Sequence, residues 1–340
     1  MNREIWQRLL ALESVDLCKK WYKVIHGRKL STIRAQAINS AAKQSREYFR
    51  NSNQSNISVR PLLTFYGVAS LSRSLLLLLK RNGGEEGLTA GHGLKTIDWR
   101  KHLSGNPNIA LKNLMELKIK TCAGLFYNFI KETKNKMCPH IVSSGADWSF
   151  NYNVPDQGEI IAFGDLLSRI PDLEIDYVNV SDIVRYSPIH DLKFKHENGF
   201  SAKILAKNFN SFQSTYIDAG YNVVEQGEWC VLSCDADTFY KTQPQFIHTY
   251  INKVFGSIPR LYITDLFGGK SSYSQLCVTY LASYFLGMLV RYYPTHWMSL
   301  VQGGIGDSLW PTINSVQEYI EEIYPELVFE MIYYVLKNGL

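Results

Sequence analysis

The sequence is poor in the features that mark a stapled, metal-bound or exported chain. Its six cysteines in 340 residues, Cys18, Cys122, Cys138, Cys230, Cys234 and Cys277, are scattered, without the dense spacing of a disulfide scaffold or any C-x-x-C pair. The N-terminus lacks a basic segment followed by an apolar run and a small-residue cleavage site, so a reduced, cytoplasmic protein is expected. Internal repeats and low-complexity tails are missing, which excludes a solenoid or a disordered chain. Charge is nearly balanced, 36 Lys and Arg against 31 Asp and Glu, for a formal +5. Such a balance permits a nucleic-acid or acidic-membrane partner without demanding one. A nucleotide loop is incomplete: Phe267-Gly268-Gly269-Lys270-Ser271 lies between an expected strand and an expected helix, but Thr264 stands where the first glycine is required. The free backbone N–H groups of a helix start next to Lys270 still suit an anion, and a serine cap is the plain alternative.

What the chain has in quantity is apolar and aromatic surface. Hydrophobic residues make up 46% and aromatics 13%, with 21 Tyr against 16 Phe, a bias toward half-wet positions such as grooves and interfaces. Two runs are long enough to test as membrane spans. Ser271 to Val290 carries no charge but is diluted by Ser, Thr and Gln, and Pro61 to Leu79 holds Arg73 in its middle. Both read as buried helices of a sizeable core, and no membrane partner is expected.

Helical periodicity dominates the first part: Glu4 to Ile25 with a break near Asp16, Thr32 to Phe49 rich in alanine, Pro61 to Lys80, and Leu111 to Ile130. Gly91-His92-Gly93-Leu94 has the freedom of a tight turn that presents its side chain. From Trp148 to Phe267 the texture changes to short alternating runs, Phe200 to Leu205, Ser214 to Val224, Trp229 to Ser233 and Arg260 to Thr264. Helix then returns over Ser272 to Val290, Pro294 to Val301, Ile313 to Tyr324 and Glu326 to Lys337, with Pro311 and Pro325 placed as helix starts. The expected fold is α+β and predominantly α-helical: a helical body of residues 1–147 and 268–340, with a small antiparallel sheet inserted at 148–267.

Three blocks, Ile57 to Leu79 with Arg60-Pro61-Leu62-Leu63-Thr64-Phe65-Tyr66-Gly67, then Gly91-His92-Gly93-Leu94, then Leu286 to Trp297, resemble the bacterial YaaC-like family in order and separation. The resemblance implies a cytosolic, mostly helical prokaryotic protein and supplies no activity.

The most chemically loaded stretch is Arg291-Tyr292-Tyr293-Pro294-Thr295-His296-Trp297. Arg291 and His296 have the spacing of the metal-independent ribonuclease motif of HEPN-type helical proteins, which they resemble. There the Arg stabilises a phosphate and the His is acid or base on the 2′-hydroxyl. Against it, Tyr292 replaces the usual polar residue and Pro294 interrupts the helix. The structural reading has Pro294 starting a new helix, Trp297 packing back, and Arg291 satisfying carbonyls at a helix end. A second match, Arg185 to His190, also contains a proline.

Weaker patterns are His92 as a catalytic or phosphate-contacting loop residue, and Cys230 with Cys234, Cys138 and His140 as a zinc set. Asp172 with Asp191 and Lys193 imitates a metal nuclease, and Asp235 with Asp237 a metal-holding strand end. None is complete, so neither metal nor cofactor is expected. The chain reads as acting by binding, through His92, Tyr292, Trp297 and Lys270, as a protein-interaction or nucleic-acid-sensing component of a multi-protein system such as anti-phage defence. The alternative is a HEPN-like ribonuclease using Arg291 and His296. Nothing in the sequence sets the oligomeric state.

Overall fold

The computed structural model describes residues 3–137, 140, 142, 150–181, 183–252, 258–303 and 308–339. The expected boundary at 147/148 lies outside them. The first helices are α1 (Arg3–Leu9), α2 (Val15–His26), α3 (Thr32–Gln54) and α4 (Arg60–Leu79). Ser14 breaks the first pair and caps α2 by accepting a hydrogen bond from Leu17 N, and Gly27, at φ 67°, closes it. Ser31 caps α3, and Pro61 occupies the first turn of α4.

Between residues 92 and 162 the chain departs from the helical expectation. A small antiparallel sheet forms in the order β1 (His92–Ile97), β2 (Lys118–Gly124) and β3 (Ile160–Ala162), and helix α5 (Leu125–Glu132) starts only after it. The Leu111 to Ile130 segment is therefore a short 3-10 helix (Leu111–Glu116), a strand and a helix. Ile119 and Thr121 are buried while Lys118 is exposed, an alternation of period two that outweighs the helical spacing of the leucines around it. The expected turn at His92 is instead the bulged start of β1. Gly93, at φ 78°, lies so close to the backbone of Gly124 and Phe126 that a Cβ would stand 2.7 Å from Phe126 N.

The larger sheet is antiparallel throughout, in the order β6 (Asn222–Gln226), β7 (Trp229–Cys234), β5 (Gly199–Leu205), β4 (Tyr186–Lys195), β9 (Ile258–Thr264) and β8 (Ile247–Asn252). The expected strand Ser214 to Val224 is half helix (Gln213–Asp218), because Tyr216 is drawn inside to donate to the carbonyl oxygens of Thr264 and Phe246. Helix α6 (Ala236–Phe246) and two short helices cover one face, with Phe200, Phe209, Phe212, Tyr216, Phe239 and Phe246 forming a core of their own.

The chain then returns to helix with α7 (Gln275–Tyr292), α8 (Pro294–Val301) and α9 (Leu309–Asn338). The start of α7 falls three residues later than expected, because Ser272 is held elsewhere: its hydroxyl donates to Gln245 O and its carbonyl accepts from Asn135 Nδ2. Pro325 does not divide the last segment. It sits inside a 30-residue helix whose buried residues continue across it, Tyr324 to Leu327 and Val328, so the lost N–H is outweighed by packing. The α+β, predominantly helical class is what the structure has, with two sheets rather than one.

The two apolar helices α4 and α7 are neighbours. An 18-residue window of α4 is apolar enough to cross a membrane and is 78% buried inside the fold. Glycine permits the approach on both sides of it. A Cβ on Gly67 would stand 2.7 Å from the Phe49 ring of α3, and one on Gly287 of α7 would stand 2.7 Å from Phe65 Cβ. The α4 hydroxyls are satisfied locally or across helices: Ser72 pairs with Tyr324 of α9, and Ser74 donates to Ile38 O.

One buried acid ties α3, α4 and α9 together. Glu321 is 3% exposed and accepts from Arg60 Nη2 at 2.5 Å, Arg60 Nε at 3.1 Å, Ser52 Oγ at 2.6 Å, Thr64 Oγ1 at 2.8 Å and Gln317 Nε2 at 2.7 Å. Burial alone would raise this carboxyl. The hydrogen bonds from Arg60 and Ser52, the Arg60 charge and the Thr64 hydroxyl together reverse that and hold it below the usual carboxylate range. A depressed native pKa stabilises the fold above the unfolded value near 4.5, and that share is lost as pH falls through the native value. Glu321→Ala, which strands the Arg60 guanidinium, should lower unfolding free energy by about 3–5 kcal/mol in urea titration. Glu321→Gln should flatten the fall in stability between pH 5 and acid that the unsubstituted chain shows in the same titration.

Candidate functional site

One face of α3 and one of α4 meet the start of β1 and of α5 in a cavity of about 300 Å³. That is the low end of the range, about 300–1,000 Å³, that ligand pockets span. From α4 come Tyr66, Ala69, Ser70 and Arg73, which share a helix face at spacings of three, four and seven; α3 adds Gln44 and Tyr48, one turn apart. Gly91, His92 and Leu125 complete the lining. Among the described residues no carboxylate lines it.

Arg291 closes one rim. It is exposed at the last turn of α7, where the helix dipole favours a cation. It does not take the expected role of satisfying helix-end carbonyls. Its Nη1 donates to the Tyr66 hydroxyl at 3.0 Å, while its guanidinium lies 5.1 Å from the Tyr292 ring centroid. Arg73 lines the cavity from α4, and it pairs with Glu85 at 3.8 Å, where both side chains are about half exposed and water screens the pair. The Tyr48 and Tyr66 rings lie 5.6 Å apart.

His92 is half-buried, with its ring 5.1 Å from Phe65 and 6.2 Å from Tyr284, and its ring nitrogens make no hydrogen bond among the described residues. Burial, then the charges of Arg291 and Arg73, push its pKa below the ordinary histidine value, so the imidazole is neutral at pH 7. The cavity thus holds one guanidinium, a neutral imidazole and two phenols, with a second guanidinium, Arg291, bound to one of the phenols, a set suited to an anion with an aromatic or sugar attachment.

The Arg291 to His296 spacing does not bring that pair together. Pro294 starts α8, and His296 on it packs edge-on to Tyr293 and takes a backbone hydrogen bond at Leu103. Its Nε2 is sealed from solvent and has no hydrogen-bond partner among the described residues. Burial pushes the His296 pKa down. Trp297 is 1% exposed, donates from Nε1 to Ile57 O at 3.0 Å and meets the Trp310 ring, so these partners lie before α4 and on α9 rather than on the preceding helix. Tyr292 is 58% exposed beside Arg291. Arg185 and His190 also part company. The first pairs with Asp265 at 2.6 Å and Asp165 at 3.3 Å, and the second lies against Trp229.

Lys270 sits in the Phe267 to Ser271 turn, four residues before the Ser274 cap of α7, and not at the helix start. The chain supplies its own anion there, since the hydroxyls of Ser271 and Tyr273 both donate to the Glu159 carboxylate. Among the described residues no group of three His, Cys, Asp or Glu is placed to hold a metal. Burial raises the Cys230 thiol and pushes Cys234 up to about 11. Cys138 lies outside the described residues. Asp172 is in a 3-10 turn, whereas Asp191 is on β4 and pairs with Lys193 at 3.1 Å. Asp235 caps α6 through Thr238 N.

Arg73, Tyr66 and Tyr48 were not singled out by sequence reasoning. The signal for Arg73 was present, as the one charge inside an otherwise apolar run. The tyrosines carried none.

The YaaC-like Protein family model matches residues 10–332. The chain belongs to the YaaC-like family. No match to it is found among curated proteins or solved structures. In this YaaC-like chain, two of the three blocks that carried the resemblance, α4 and the Gly91 to Leu94 segment, line the cavity, and the third reaches it through the Arg291 hydrogen bond to Tyr66. Trp297→Ala should lower stability by about 3–5 kcal/mol in thermal or chemical unfolding, whereas Tyr292→Ala should stay within about 0.5 kcal/mol.

Proposed function

We propose that this YaaC-like protein acts by binding, and that the cavity between α3, α4 and β1 receives a phosphate group of single-stranded nucleic acid. On this reading it is the nucleic-acid-sensing part of a cytoplasmic multi-protein system such as anti-phage defence. The observation that carries the reading is a cavity lined by Arg73, Tyr66 and His92, with Arg291 held beside it on the Tyr66 hydroxyl; among the described residues the His92 ring makes no hydrogen bond and no carboxylate lines the cavity. Guanidiniums supply charge and directed donors to phosphate, and Tyr48 and Tyr66 offer ring faces for a base. Tyr292, exposed beside Arg291, is the side chain a protein partner at this rim would cover.

Fluorescence anisotropy with a labelled single-stranded RNA tests the reading. Arg73→Ala and Arg291→Ala should each weaken binding about equally across sequences and reduce the slope of log K against log salt by about one. Lys270→Ala should leave both unchanged. Affinity and salt slope unaltered by the two arginine substitutions would overturn it.

A further inference from the structure

We propose that the same cavity cleaves RNA without a metal ion, with His92 as the base that takes the proton of a ribose 2′-hydroxyl and Tyr66 as the acid that protonates the departing 5′ oxygen. The proposal rests on phosphate binding in this cavity and moves the ribonuclease chemistry from His296 to His92.

The geometry supplies each role. A general base needs a free lone pair within reach of the phosphate, and His92 lines the cavity with no hydrogen bond from its ring among the described residues. Phe65 and Tyr284 hold the ring by its faces and edges, fixing its plane while leaving its nitrogens uncommitted. His296, by contrast, has its Nε2 sealed inside. Tyr66 accepts from Arg291 Nη1, so its own proton is free to be donated, and the guanidinium stays in place to stabilise the phenolate formed. Arg73, on the same face of α4 two turns away, is available to the non-bridging oxygens, where charge grows as phosphorus becomes five-coordinate.

The step balances within the RNA and these two side chains. The 2′ oxygen forms a bond to phosphorus as its proton passes to His92, and the phosphorus to 5′ oxygen bond breaks. The electron pair leaves on the 5′ oxygen, which takes the Tyr66 proton. Solvent then returns a proton to Tyr66 and removes one from His92. The products are a 2′,3′-cyclic phosphate and a 5′-hydroxyl. The groups facing His92 are Arg291 and Tyr284 from α7, Arg73 and Tyr66 from α4, and Tyr48 and Gln44 from α3. Burial, and then the two cations among them, keep the imidazole unprotonated, so cleavage should persist to lower pH than an unperturbed histidine, with a pKa near 6.5, would allow.

The test incubates the full chain with end-labelled RNA in excess chelator, while anisotropy measures binding of the same RNA. The unsubstituted protein should give 2′,3′-cyclic phosphate ends. His92→Gln and Tyr66→Phe should each slow cleavage by about 100-fold or more, read at saturating protein so that a change in affinity does not enter the rate. His296→Ala should cleave normally. RNA with 2′-deoxyribose at the cleaved position should bind and stay intact, a control that leaves the protein untouched. RNA bound but never cut, or cutting that survives both substitutions or is lost with His296, overturns the inference while leaving the binding reading in place. RNA neither bound nor cut overturns both.

Discussion

Glu321 fixes where α4 sits, and the candidate site depends on that placement. A carboxylate taken out of water must be surrounded by donors, and here they come from three helices: Ser52 near the end of α3, Arg60 and Thr64 in the first turns of α4, and Gln317 within α9. This clamp sets the axial position of α4. A shift of one residue would take Arg60 and Thr64 away from the same acid and carry Tyr66 and Arg73 off the cavity. Further along the helix the constraint is steric, where the missing side chains of Gly67 and Gly287 let Phe49 and Phe65 close on the backbone from either side. Charge at one end and shape in the middle thus hold a nearly featureless apolar rod in one register.

Much of the helical body was legible in the sequence because its signals are local. Ser14, Ser31 and Pro61 mark helix starts by their own chemistry, and the apolar runs of α4 and α7 are too long to be anything but interior. What escaped notice depends on partners distant in the chain. Lys118 to Gly124 becomes a strand because His92 to Ile97 and Ile160 to Ala162 are there to pair with it, and Pro325 is absorbed because the helix around it is buried on both sides of the proline. The two-sheet arrangement was hidden for the same reason, since the smaller sheet borrows strands from within a helical stretch.

The site was half visible. Arg291 and His92 stood out as residues, but the partner assigned to Arg291 by spacing was the wrong one. The proline between Arg291 and His296 starts a new helix, on which the histidine packs against Tyr293 and Leu103. The guanidinium instead meets a phenol 225 residues earlier. Tyr66 and Tyr48 gave no warning, because tyrosine on an amphipathic helix is as often buried filler as a functional rim.

Arg169 has a bearing on how the molecule is handled. Its side chain is 2% exposed, and it donates to the carbonyl oxygens of Asp265 and Leu266 and pairs with Asp165, while Asp265 also pairs with Arg185 at the entry to the large sheet. Residues 165 and 169 belong to the large apolar body, and residue 265 follows the last sheet strand. Trimming the chain between them would leave a guanidinium in an apolar interior with half its acceptors gone, a debt of several kcal/mol. The sheet is a plug in the helical body's wall as much as an appendage, and fragments drawn at its borders are poor stand-ins for the whole.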